Sequence, residues 1–79
     1  MTGYFLRDVA AKKAEILAAV PGAELEDWQD YGFRLVAIAR KPDSVHVMIV
    51  MAPAREETGQ EEINRPASEV IEFLMRANQ

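Results

Sequence analysis

Two runs of β-branched and apolar residues joined by a single turn signal fill residues 32–51, GFRLVAIARKPDSVHVMIVM, and they restrict the fold more than any other part of the chain. In Arg40-Lys41-Pro42-Asp43-Ser44 the proline pre-sets φ for the first central position of a β-turn. Asp43 suits the second and can bond the local backbone. The stretch therefore predicts a hairpin with Lys41 opposite Ser44. Side chains alternate across a pleated strand, so Phe33, Leu35, Ala37, Ala39, His46, Met48, Val50 and Ala52 are expected on one face. Arg34, Val36, Ile38, Arg40, Val45, Val47, Ile49 and Met51 then fall on the other. Neither face is polar, and a solvated antiparallel sheet normally keeps one polar side, so both faces are expected to meet something.

The flanking segments extend this hairpin. From about Tyr4 to Val20, apolar residues including Phe5, Val9, Ile16 and Leu17 recur at helical spacing, with Thr2 or Asp8 as a cap at the start. Pro21 and Gly22 end that helix. Arg7, Lys12 and Lys13 make it the most basic element, and the lysine stems can cover apolar surface while their ammonium groups reach water. Ala23 to Gln29 reads as an acidic edge strand, followed by a short reversal at Asp30-Tyr31-Gly32. After Met51, Ala52-Pro53-Ala54 closes the third strand, and the glutamate-rich run around Gly59 predicts a mobile connection of about a dozen residues with a short extended piece near Ile63 as one alternative. Asn64-Arg65-Pro66 opens a second helix carrying Val70, Ile71, Phe73, Leu74 and Ala77 on its apolar side, which runs to Asn78-Gln79.

The expected architecture is a single α+β domain spanning residues 1–79: helix, three-stranded antiparallel meander, helix, in two layers. With both helices on one side of the sheet, the other side is bare. A second copy meeting it through the sheet face is the simplest cover.

Function is constrained mainly by what the composition opposes. There is no cysteine, so disulfides, thiolate metal sites and thiol nucleophiles are excluded. No apolar run approaches a membrane span, which makes a cytoplasmic protein the expectation. Thirteen acidic residues against 9 basic ones give a net charge of −4, which opposes direct nucleic-acid binding and favours a protein partner with a basic surface. His46 is the only histidine. It has no nucleophile or acidic partner at a recognisable spacing, so no catalytic set, metal site or cofactor site is expected.

The acids fall into two groups, Glu24, Glu26, Asp27 and Asp30, then Glu56, Glu57, Glu61 and Glu62. Their plain role is solvation of the surface. Their sharper one is a negative surface complementary to a groove lined by arginine and lysine, with Trp28 and Tyr31 as aromatic anchors. The element order resembles that of double-stranded-RNA-binding domains. Those carry a lysine-rich start to the last helix, whereas this chain reads Asn64-Arg65-Pro66-Ala67-Ser68-Glu69 there, so RNA binding does not follow. In size, acidity and element order the chain resembles small phage-encoded inhibitors of bacterial defence, including anti-CRISPR proteins, with no motif in common. That resemblance implies that the two acidic groups would face a basic nucleic-acid channel of the target. The rival expectation is a small chaperone, adaptor or structural subunit that buries an apolar sheet face in an oligomer.

Overall fold

The computed structural model describes residues 2–29 and 32–77, with side chains from Arg7 onward. Helix α1 spans Thr2–Ala19, strand β1 Glu24–Trp28, β2 Arg34–Lys41, β3 Ser44–Ala52 and β4 Ile63–Asn64, and helix α2 spans Ala67–Ala77. The sheet is antiparallel throughout, in the order β1-β2-β3-β4. It has four strands where three are expected. Its thinnest dimension, 17 Å, suits one helical layer on one sheet.

Helix α1 starts at Thr2, so Asp8 lies within it and is not its cap. Ile16 accepts the last helical bond from Val20 N, Pro21 supplies no N–H, and Gly22 turns the chain at φ 86° toward β1. The β2–β3 hairpin forms in the expected register, with Lys41 opposite Ser44 and Ala39 opposite His46. Pro42 and Asp43 form its two-residue turn.

One irregularity changes which residues share a face. Val36 pairs with Ile49 but Leu35 pairs with Met51, so Val50 is an extra residue on β3, a β-bulge. In an unbroken ladder Met51 would stand on the face opposite Val50. The bulge returns it to the Leu35 side, and both Val50 (0 % exposed) and Met51 (2 %) enter the core. The same kink lets the chain add β4: Arg65 N donates to Val50 O at 2.9 Å, and Asn64 and Ile63 pair with Met51 and Ala52.

The connection expected to be mobile has a defined backbone. Arg55 and Gln60 exchange both hydrogen bonds, at 2.9 and 3.0 Å, around a 3-10 turn at Glu56–Thr58 that Gly59 closes with φ 72°. Gln60 Nε2 also donates to Pro53 O at 2.9 Å.

Both helices pack on one face of the sheet. Val9 and Ile16 of α1 and Ala67, Val70 and Leu74 of α2 meet Leu35, Ala37, Val50 and Met51, with Leu25, Phe33 and Met48 packed against them. Each large aliphatic side chain so buried contributes roughly 1.5–3 kcal/mol. The stripe on α1 is narrower than expected, since Leu17 is 42 % exposed. Lys12 lies along that stripe and donates from Nζ to Arg65 O at 2.8 Å, fixing α1 to the β4–α2 junction.

Candidate functional site

The strand register identifies the residues of β1, β2 and β3 that lie on the face carrying no helix. Glu24, Glu26 and Trp28 of β1 lie opposite Ile38, Val36 and Arg34 of β2, and Val36, Ile38 and Arg40 lie opposite Ile49, Val47 and Val45 of β3. Directly opposed residues in an antiparallel pair share a face. The central strand is covered even here, with Val36 fully buried and Ile38 6 % exposed. Toward the β3 side the cover ends. Val45 is 55 % exposed and Val47 44 %.

Charged and aromatic groups rim this apolar strip. Arg40 donates from Nε and Nη2 to the two carboxylate oxygens of Glu24, both at 2.8 Å, in a bidentate fork. That bond from Arg40 holds the Glu24 carboxyl below the ordinary glutamate range and raises Arg40 in turn. Trp28 is half-buried and donates from Nε1 to Glu26 Oε1 at 2.9 Å.

Alternation across the pleat splits the first acidic group. Asp27 faces the helical layer, where Lys13 meets it at 3.0 Å, while Glu24 and Glu26 face away. Asp30 and Tyr31 lie outside the described residues. The second group shares one connection. Glu56 and Glu57 sit in the 3-10 turn, and Glu61 and Glu62 precede β4. All four are exposed. A hydrogen bond with its own backbone amide, then Arg55 at 3.5 Å, lowers the Glu57 carboxyl. The base of this connection approaches the β1–β2 turn: a Cβ on Gly32 would stand 3.6 Å from Arg55 Cδ.

His46 is exposed on the helical side of β3, 3.1 Å from Ser44 Oγ, at the mouth of a shallow cleft of about 170 Å³ formed with Lys41, Phe73 and Arg76. No serine–histidine–carboxylate arrangement is built around it among the described residues, where no group of three or more histidine, aspartate or glutamate side chains is placed to hold a metal ion. Among the described residues no helix is long and apolar enough to cross a membrane.

Val45 and Val47, the most exposed apolar side chains of the sheet, lie outside the acidic and aromatic contact set, although they stand on one of the two apolar faces expected to meet something. The alternation Val45, Val47, Ile49 puts them together on one face, but sequence does not reveal which face the helices take.

Comparison with protein-family models, with curated proteins and with solved structures gave no match.

Proposed function

We propose that this chain is a non-catalytic protein-binding module that acts by burying the helix-free face of its sheet against a protein partner. One observation carries the reading: Val45 and Val47 stand 55 % and 44 % exposed beside Ile38 and Ile49 on the face that carries neither helix. Contiguous exposed apolar surface bounded by polar groups marks contact sites. Trp28 supplies an aromatic anchor at one side, and the Glu24–Arg40 fork and Glu26 supply the polar rim of such an interface.

A second reading, a phage-encoded inhibitor acting in the host cytoplasm against a basic nucleic-acid channel, draws on a different observation. Glu56, Glu57, Glu61 and Glu62 are exposed on one connection, and only Glu57 reaches a base among the described residues. Electrostatic docking of this kind weakens as salt screens exposed charges.

The two readings separate by substitution. Val45→Ser with Val47→Ser is expected to abolish capture of a partner that wild-type protein retains at ~0.5 M salt, while Glu-to-Gln changes at residues 56, 57, 61 and 62 leave it intact. The reverse result, with capture lost on raising salt, rejects the apolar face and supports the acidic one.

A further inference from the structure

We infer that the open edge of β3, from Ser44 to Met48, pairs antiparallel with the same edge of a second copy, centred on His46, to join two sheets into one.

The argument starts at the turn. Lys41 opposite Ser44 across two residues is a pair that exchanges both backbone hydrogen bonds, and bonding alternates along an antiparallel ladder. Ser44, His46 and Met48 therefore turn their N–H and C=O toward β2, and Val45 and Val47 turn theirs outward. Strand β4 reaches only Met51 and Ala52. Neither Val45 nor Val47 makes an outward backbone bond to another described residue. Edges of this kind, β-branched and without lysine, proline or a bulge over the free stretch, are templates for strand addition.

The chemistry of the two edges selects a second copy as the occupant. Strand β1 carries Glu24, Glu26 and Asp27, so pairing it with itself would oppose like charges. Strand β3, SVHVMIVMA, carries no aspartate, glutamate, lysine or arginine. Its self-pairing opposes Val45 to Val47 of the second copy and His46 to His46, with no carboxylate, lysine or arginine set against its own kind.

The register follows from what already occupies the end of β3. Arg65 caps Ile49 O through Nε at 2.8 Å and Val50 O through its own backbone N–H. Centring the pair on Val47 would drive the Pro42-Asp43 turn of the second copy into β4. Centring it on Val45 would leave Val47 against that turn. Centring it on His46 lets each Val45 exchange both backbone bonds with Val47 of the other copy. It also stops each turn where β4 begins and puts Asp43 of one copy opposite Ile49 of the other, where the Arg65 guanidinium sits. That aspartate–arginine contact is repeated by symmetry, and the interface is closed by a two-fold axis.

The pairing is independent of the docking face proposed above. A monomer that still captures its partner refutes the pairing alone; a dimer that captures nothing refutes only the docking face.

Sedimentation velocity on the full chain is expected to show a monomer–dimer equilibrium at micromolar to millimolar concentration. Val47→Pro tests the edge directly, because the lost N–H points away from the monomer's own ladder, a position where edge strands accept proline. With the circular dichroism unchanged, it is expected to raise the dissociation constant about tenfold to a hundredfold. A second variant does not depend on proline being tolerated. His46 and its symmetry mate form a non-bonded pair with Cα atoms about 4.5 Å apart, within disulfide range. The chain has no other thiol, so His46→Cys is expected to form disulfide-linked dimers under mild oxidation at least about tenfold faster than Thr58→Cys. A chain monomeric to ~1 mM, or a dimer unaffected by Val47→Pro with His46→Cys no faster than Thr58→Cys, overturns the inference.

Discussion

Val47→Ala and Val50→Ala remove the same two methyl groups from the same strand, yet the structure makes their costs unequal. Val50 is fully buried at the bulge, among residues of both helices. Removing its methyl groups forfeits about 1.6 kcal/mol of transfer free energy at ~0.8 kcal/mol each. A residual cavity of ~40 Å³ at ~24 cal/mol per Å³ adds about 1 kcal/mol, for a total near ~2.5 kcal/mol. Val47 keeps 44 % of its surface in water. It loses about half the transfer term and leaves no cavity, so its change costs ~1 kcal/mol at most.

A 79-residue chain holds only ~4–12 kcal/mol of stability at ~0.05–0.15 kcal/mol per residue. Val50→Ala should therefore lower Tm by ~10–20 °C and Val47→Ala by ~8 °C at most, at ~4–8 °C per kcal/mol. Urea unfolding at low micromolar protein, where self-association is weak, provides the comparison. Far-UV circular dichroism follows the helical layer and the fluorescence of Trp28, the only tryptophan, follows the opposite face. Coincident curves with unchanged slope establish that one cooperative unit is being measured. Equal losses for the two variants, or a larger loss at Val47, would refute both the bulge and the assignment of the open face.

Three further outcomes follow from single contacts. Lys12→Met should cost about 0.5–1.5 kcal/mol and speed amide exchange at β4 and the start of α2, because it deletes the bond to Arg65 O; unchanged exchange there refutes the link. Arg40→Gln should lower Tm near neutrality and not in acid. The folded-state value of Glu24 lies below its unfolded one, so the stabilisation is present above the unfolded value and lost as pH falls through the folded one; a Tm difference constant from pH ~6 to ~2 refutes it. Gly59→Val should cost about 1–2 kcal/mol from left-handed backbone alone, since φ is 72° and nothing lies within 4 Å of the added Cβ. Gly59→Asn should cost less, and equal losses in thermal melts would contradict that cause.

The hairpin was legible because its signals are local. Proline and aspartate specify the turn, and the turn sets the register as far as Ile49. Beyond that point the sequence is silent, since nothing in IVMA distinguishes a regular strand from one that admits both Val50 and Met51 to the core; the bulge falls where Arg65 meets the strand. Strand β4 is two residues long and depends on the same meeting. The acidic run misleads for a related reason. Neighbours along a helix turn or a loop can share a surface, but neighbours along a regular, unbulged strand cannot, so Glu26 and Asp27 lie on different faces of the sheet. Val45 and Val47 look like core in sequence. They are exposed because the helices settle on the side of Leu35 and Ala37, where small and large residues interlock with Val70 and Leu74.

The open stretch of β3 is a consequence of where α2 must begin. Covering Val45 and Val47 would require β4 to continue past Arg65, but Pro66 has no N–H to give a ladder, and its carbonyl already accepts from Glu69 at 3.0 Å in the first turn of the helix. Residues 65 to 70 can either extend the sheet or carry Ala67 and Val70 into the core. Burying Val70 alone is worth ~1.5–3 kcal/mol, whereas outward backbone groups of an exposed strand remain bonded to water and lose little by being left unpaired. Core formation therefore wins, and the edge stays available. Whatever pairs with it gains backbone bonds that no other described residue makes.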